Sequence, residues 1–160
     1  MLDHMPSYDR IVYQWSEGAV PPPYHYEYAV TLARDGAGAI RLLPDYEQHR
    51  PPAMEAVFRV PAGSFGCLAD ALAEAMAIDR AAPPRDSDAP LGGSVERWEL
   101  YAEGKAPILL TIYPLCAGLG LAALSETVRG LVPPEVWRRL FDERAAYWRA
   151  QGEPLPPEDT

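Results

Sequence analysis

His25 and Glu27 stand two apart in the stretch PPPYHYEY, residues 21–28, and Asp45, Glu47 and His49 follow in DYEQH. Residues two apart on an extended strand project from the same face, and imidazole with carboxylate is a ligand set for zinc and other divalent ions. His25, Glu27 and His49 are therefore the candidate metal ligands, on condition that two separate segments meet. The spacing is far less diagnostic than a C-x-x-C pair. The competing reading is a set of ordinary polar residues on a solvated face.

Other chemistry-bearing patterns are weaker. AGSFG, residues 62–66, follows a strand pattern and opens a helical one, like a nucleophile elbow around Ser64. That constellation needs its histidine after the serine in chain order, and His4, His25 and His49 all precede it. Ser64 is expected to cap a helix instead. GLGLAA carries Gly118, Gly120 and Ala123 at dinucleotide-fingerprint spacing. The fingerprint requires a strand running directly into the glycines and a parallel strand after the helix, whereas Pro114 interrupts the approach and another helix follows. Small residues for close packing are expected there. Cys67 falls near a helix N-terminus, where the dipole favours thiolate. Asp70 and Glu74 share its side and oppose that effect, so a passive thiol is expected.

Arg144 projects from the middle of an aromatic helical face made by Val136, Trp137, Leu140, Phe141, Tyr147 and Trp148. A guanidinium among rings must stack on them or meet a carboxylate, because its bare charge cannot stay buried. It is expected to form an internal ion pair or to snorkel to solvent; the sharper alternative is an anchor for a carboxylate from a ligand or partner.

The elements that must position these residues follow from periodicity. RIVYQWS alternates as a strand. From Tyr24 the alternation is longest: Tyr24, Tyr26, Tyr28, Val30 and Leu32 on one face, His25, Glu27, Ala29 and Thr31 on the other. Asp35-Gly36 supplies a hairpin turn to AIRLL. Proline cannot donate to a sheet ladder, so Pro21 to Pro23 are expected to lead into the strand along a sheet edge. MEAVFRV is a further strand, and residues 63–77 change to helical period, with Phe65, Leu68, Ala69, Leu72 and Met76 in one stripe. Residues 81–93 form a long aperiodic loop. A second hairpin turns at Glu103-Gly104, with arms at 95–102 and 108–113. Leu121, Leu124, Val128 and Leu131 line one helix, and a last helix begins at PPEVW with Pro134 suited to its first position.

The sum is an α+β two-layer fold, a mostly antiparallel sheet of about six strands with three helices packed on one face. It forms a single domain over 1–151 with a disordered acidic tail over 152–160. His25, Glu27, Thr31, Glu55 and Arg59 are expected on the opposite, open sheet face.

The 160 residues suit one core, and the net charge of −9 disfavours nucleic acid and anionic lipid. No lysine or arginine cluster offsets it. No apolar run approaches the roughly 20 residues that span a bilayer. MLDHMPSYDR lacks a signal-peptide layout, so a cytoplasmic location with the thiols of Cys67 and Cys116 reduced is expected. Lys105 is the only lysine and asparagine is absent, a bias expected of a GC-rich bacterial genome.

GAVPPPYHYEYAVTLARDGAGAI, PDY and PLGGSVERWELYAEGKAPILL together resemble a family of small bacterial proteins. These combine a proline-led aromatic strand and an Asp-Gly hairpin with a Gly-Gly-Ser strand and a second hairpin. The likeness covers about residues 12–110; AEGK departs from the usual Asp-Gly of the second turn. The resemblance implies a coherent fold and carries no activity, cofactor or site residue with it.

The sequence favours binding over catalysis, with no cofactor. The expected partner is another protein, of basic character, contacted through the open face and the proline-led edge, as an immunity protein or inhibitor would do. The alternatives are a small-molecule- or metal-dependent activity centred on His25, Glu27 and His49, and a structural module without a discrete site. Oligomeric state is left open.

Overall fold

A computed structural model describes residues 7–81, 93–113, 119–153 and 155. The strands are β1 (Arg10–Ser16), β2 (Glu27–Ala33), β3 (Ala37–Leu43), β4 (Met54–Arg59), β5 (Val95–Tyr101) and β6 (Ile108–Ile112). The helices are α1 (Ser64–Ala81), the one-turn α2 (Leu119–Ala122), α3 (Leu124–Leu131) and α4 (Pro134–Ala150). All six strands join one sheet in the order β4-β3-β2-β1-β5-β6, and every pairing is antiparallel.

Both hairpins turn where glycine permits a positive φ: Gly36 at 86° and Gly104 at 67°. The alternation of β2 becomes one-sided burial. Tyr28, Val30 and Leu32 are enclosed while Glu27, Ala29, Thr31 and Ala33 remain partly open. Ile11 and Tyr13 of β1, Ile40 and Leu42 of β3, and Trp98 and Leu100 of β5 extend the same buried layer. Phe65, Leu68, Leu72 and Met76 of α1, Val128 of α3 and Leu140 of α4 close over it. The result is the two-layer α+β arrangement, with the described helices on one side of the sheet and no described helix on the other.

Several local expectations change. Strand β2 begins at Glu27, and Pro22 to Tyr24 form a turn in which the Tyr24 amide donates to the Pro21 carbonyl (3.0 Å). Since β2 lies inside the sheet between β3 and β1, the prolines lead along no edge. Their missing N–H is harmless because they precede the ladder. Tyr24 therefore points to solvent instead of joining Tyr28. Ser64 is the first residue of α1, while the Gly63 carbonyl accepts the Cys67 amide and so stands at the cap position. The expected helix through Leu121 to Leu131 is broken at Ala123 into α2 and α3. Gly120 packs against α1 so closely that an added Cβ would lie 2.9 Å from the Ala75 carbonyl oxygen, which is close helix packing. Cys67 is exposed and unpaired. Most of the 81–93 loop, Cys116, Gly118 and most of the 152–160 tail lie outside the described residues.

Candidate functional site

The face opposite the described helices is concave at one end, because side-chain size changes systematically across it. Thr111, Arg97, Gln14, Ala29, Arg41 and Glu55 stand side by side in one row from β6 to β4. In a neighbouring row Val95, Ser16, Glu27 and Leu43 are aligned. Small residues, Ser16 and Ala29, occupy the two central strands, with arginine and tyrosine outside them. The β3–β4 connection forms the far wall with Tyr46, Glu47 and Gln48. The concavity has a volume of about 740 Å³, with Tyr113 on the opposite side.

The wall is held firmly. The Tyr46 hydroxyl donates to the Val20 carbonyl (2.7 Å), and its ring lies face to face with His25, centroids 3.4 Å apart. The Asp45 carboxylate accepts from the Tyr46 amide (2.7 Å) and from His49 Nδ1 (2.8 Å). Behind it, Trp148 Nε1 donates to the Pro44 carbonyl (2.8 Å), tying the connection to α4.

His25 is buried behind this floor, 2% exposed, so its expected place on the open face is corrected. It sits two residues before the strand, in the turn's exit, where its ring stacks on Tyr46. Its Nδ1 lies 3.3 Å from the Gly18 carbonyl and its Nε2 2.9 Å from Glu27 Oε1. Both partners offer acceptor oxygens to the ring nitrogens, and the contact fixes Glu27 at the edge of the concavity.

Glu27, Thr31, Glu55 and Arg59 do lie on the open face, by strand register. Arg59 donates to the Asp35 carbonyl (2.6 Å) at the hairpin turn, away from the concavity. His49 is engaged by Asp45 and does not join His25 and Glu27. Among the described residues no three His, Cys, Asp or Glu side chains are grouped to hold a metal.

Arg144 is buried, 5% exposed, so its side chain does not snorkel to solvent. It donates to the carbonyls of Pro23 (3.0 Å) and Tyr24 (3.3 Å) and lies over the Tyr26 ring at 4.5 Å. The turn between Pro21 and Tyr26 presents carbonyl oxygens where a carboxylate was expected. Arg144 is a brace joining α4 to the segment that ends in His25 and Glu27.

The residues that shape the concavity and were missed are Gln14, Arg41, Tyr46, Arg97 and Tyr113. Arg41 was legible once the Asp35-Gly36 turn set β2 against β3. Arg97 and Tyr113 depend on the β1–β5 pairing, which no local pattern announces.

No protein-family model and no curated protein matches the chain. Among the described residues no helix is long and apolar enough to cross a membrane.

Proposed function

We propose that this protein is a binding module that receives another protein on the open face of its sheet. The observation that carries this reading is the concavity itself: a sheet face free of described helices, hollowed by small central side chains and walled by Tyr46, Tyr113 and two arginines. Tyrosine and arginine anchor interfaces well, because they bury much area and bond directionally at low entropic penalty. Val57 on β4 and Leu109 on β6, 84% and 66% exposed, offer apolar contact toward the two margins. An inhibitor or immunity protein is the class of function that such a face on a small acidic chain would serve.

The charge of −9 steers a basic partner from a distance. It does not select one by contact, because the strand residues of this face carry Glu27, Glu55 and Glu99 against Arg10, Arg41, Arg59 and Arg97. The excess negative charge lies elsewhere, for example at Asp70, Glu74, Asp142 and Glu143 on the helices.

Affinity capture from a native-host lysate tests the reading through two variants. Ala29→Trp fills the concavity, and Ile78→Asp alters an exposed position on α1. A stoichiometric partner held by wild type and Ile78→Asp but lost with Ala29→Trp is the expected result. Absence of any such partner, or loss confined to Ile78→Asp, overturns it.

A further inference from the structure

We infer that the concavity reads carboxylates: Arg41 and Arg97, on either side of its floor, receive the acidic side chains of a protein segment. This rests on the open face being the binding surface and names the chemistry of what it contacts.

The argument is an account of hydrogen-bonding capacity. The carboxylates of the floor strands are already engaged from within. Glu27 Oε1 meets His25 Nε2 at 2.9 Å, while Glu99 accepts from Gln14 Nε2 (2.9 Å) and from the Tyr101 hydroxyl. The guanidinium groups of Arg41 and Arg97 make no hydrogen bond among the described residues. Arg97 is exposed and has no hydrogen bond or ion pair among the described residues. Arg41 Nε lies 3.8 Å from Glu55 Oε1, an ion-pair distance beyond hydrogen-bond range. The remaining carboxylates nearby are Glu55 beside Arg41 and Glu47 on the wall. What the floor offers an incoming molecule is therefore donors in search of acceptors, although the chain as a whole is acidic.

Guanidinium donors are planar and forked, and carboxylate is the protein group that matches them with two parallel bonds. Arg97 and Arg41 are three strand steps apart, about 14 Å at the backbone. One small anion cannot meet both without drawing both side chains inward, whereas an extended segment of four residues spans about 13 Å and can place a carboxylate at each. The intervening side chains, Gln14 and Ala29, leave room for its backbone. The charge of −9 opposes strongly acidic chains at long range, so the site suits a few carboxylates on an otherwise neutral or basic partner.

The test is nitrogen-15 NMR on the full chain at low ionic strength, with acetylated tetraglutamate amide, acetylated tetralysine amide and acetate as probes. Tetraglutamate is expected to shift the Arg41 and Arg97 Nε–H signals and the Ala29 amide in a saturable way. The double variant Arg41→Gln, Arg97→Gln is expected to raise its Kd at least ten-fold, and its thermal unfolding reports whether the fold is intact. Acetate is expected to move the same signals only at far higher concentration. Binding of tetralysine in the concavity, acetate binding as tight as tetraglutamate, or tetraglutamate shifts indifferent to the double variant would each overturn the inference. Should partner capture depend on Ala29 while tetraglutamate leaves Arg97 unmoved, the open face remains the binding surface and the carboxylate chemistry alone falls. Should tetraglutamate bind as expected while Ala29→Trp retains the partner, the reverse holds.

Discussion

The two faces of the sheet each carry a glutamate at the same end of β1 and treat it in opposite ways. Glu27 pairs with Ser16 and opens onto the concave face, its Oε1 2.9 Å from His25 Nε2. Glu96 pairs with Trp15 and turns under the helices, 4% exposed, beside the rings of Tyr13 and Trp98. Burial holds its carboxyl above the usual range, against the opposing pull of the Tyr13 hydroxyl and Arg129. Glu96 Oε2, the hydroxyls of Tyr13 and Tyr28, and Trp98 Nε1 are all enclosed without a partner of good geometry. The arginines divide in the same manner. Arg144 is buried and engaged by two carbonyls and a ring, whereas Arg97 is exposed and has no hydrogen bond or ion pair among the described residues. On the proposed reading, polar groups on the helix side govern stability, and the guanidinium groups of Arg41 and Arg97 on the open side bind.

The largest effect that would break this contrast is at Arg144. Replacement by methionine keeps much of the volume but removes the donor to the Pro23 and Tyr24 carbonyls, both charge-assisted bonds. A loss of about 3 kcal/mol in urea unfolding is expected. A loss below about 1 kcal/mol would mean that α4 holds the turn by packing alone.

Glu96 gives the next effect, and its sign depends on pH. A carboxyl raised in the folded state keeps its proton where the unfolded chain, near the ordinary value of about 4.3, has released it. The folded protein then binds more protons than the unfolded one, so this residue's contribution declines as pH rises from that value toward its raised one. Glu96→Gln removes the decline. It should leave stability nearly unchanged at pH 4 and raise it by about 1–2 kcal/mol at pH 7. Parallel unfolding midpoints for both proteins from pH 4 to 8 would show that the carboxyl finds solvation within the core.

His25 sharpens the comparison from the other side. His25→Phe preserves the ring stack on Tyr46 but abandons Gly18 and Glu27. A loss of about 1 kcal/mol is expected. Glu27, released, becomes an internal competitor for the guanidinium groups, so tetraglutamate binding should weaken together with stability. Unchanged affinity would place Glu27 outside the contacted surface.

The same contrast explains what the sequence could convey. Alternation in β1, β2 and β5 is strong because one face is buried and the other is not, so strand number, layering and the open positions of Glu27, Thr31, Glu55 and Arg59 were legible. His25 was misplaced because alternation was extended backwards through Pro22 to Tyr24, where turn geometry prevails over pattern. Arg144 was recognised as anomalous from its place among aromatic residues, but its acceptors lie 120 and 121 positions earlier in the chain. Backbone carbonyls leave no mark in a sequence. The concavity depended on register between strands far apart in the chain, and only its hairpin half could have been anticipated.

The smallest expected effect is the one that most directly separates the faces. Arg97→Gln shortens an exposed side chain that has no described partner, removes one positive charge from an acidic chain, and leaves the β5 ladder with Arg10–Ser16 and β6 intact. Surface substitutions of that kind move stability by no more than about 0.5 kcal/mol in either direction. Glutamine retains a polar head and a similar stem, so the concavity keeps its shape while losing the forked donor. Unfolding free energy and tetraglutamate affinity should therefore part company: the first stationary, the second reduced several-fold. A drop in stability comparable to that of Arg144→Met would mean that Arg97 is engaged in solution, and that the open face keeps no guanidinium in reserve for a partner.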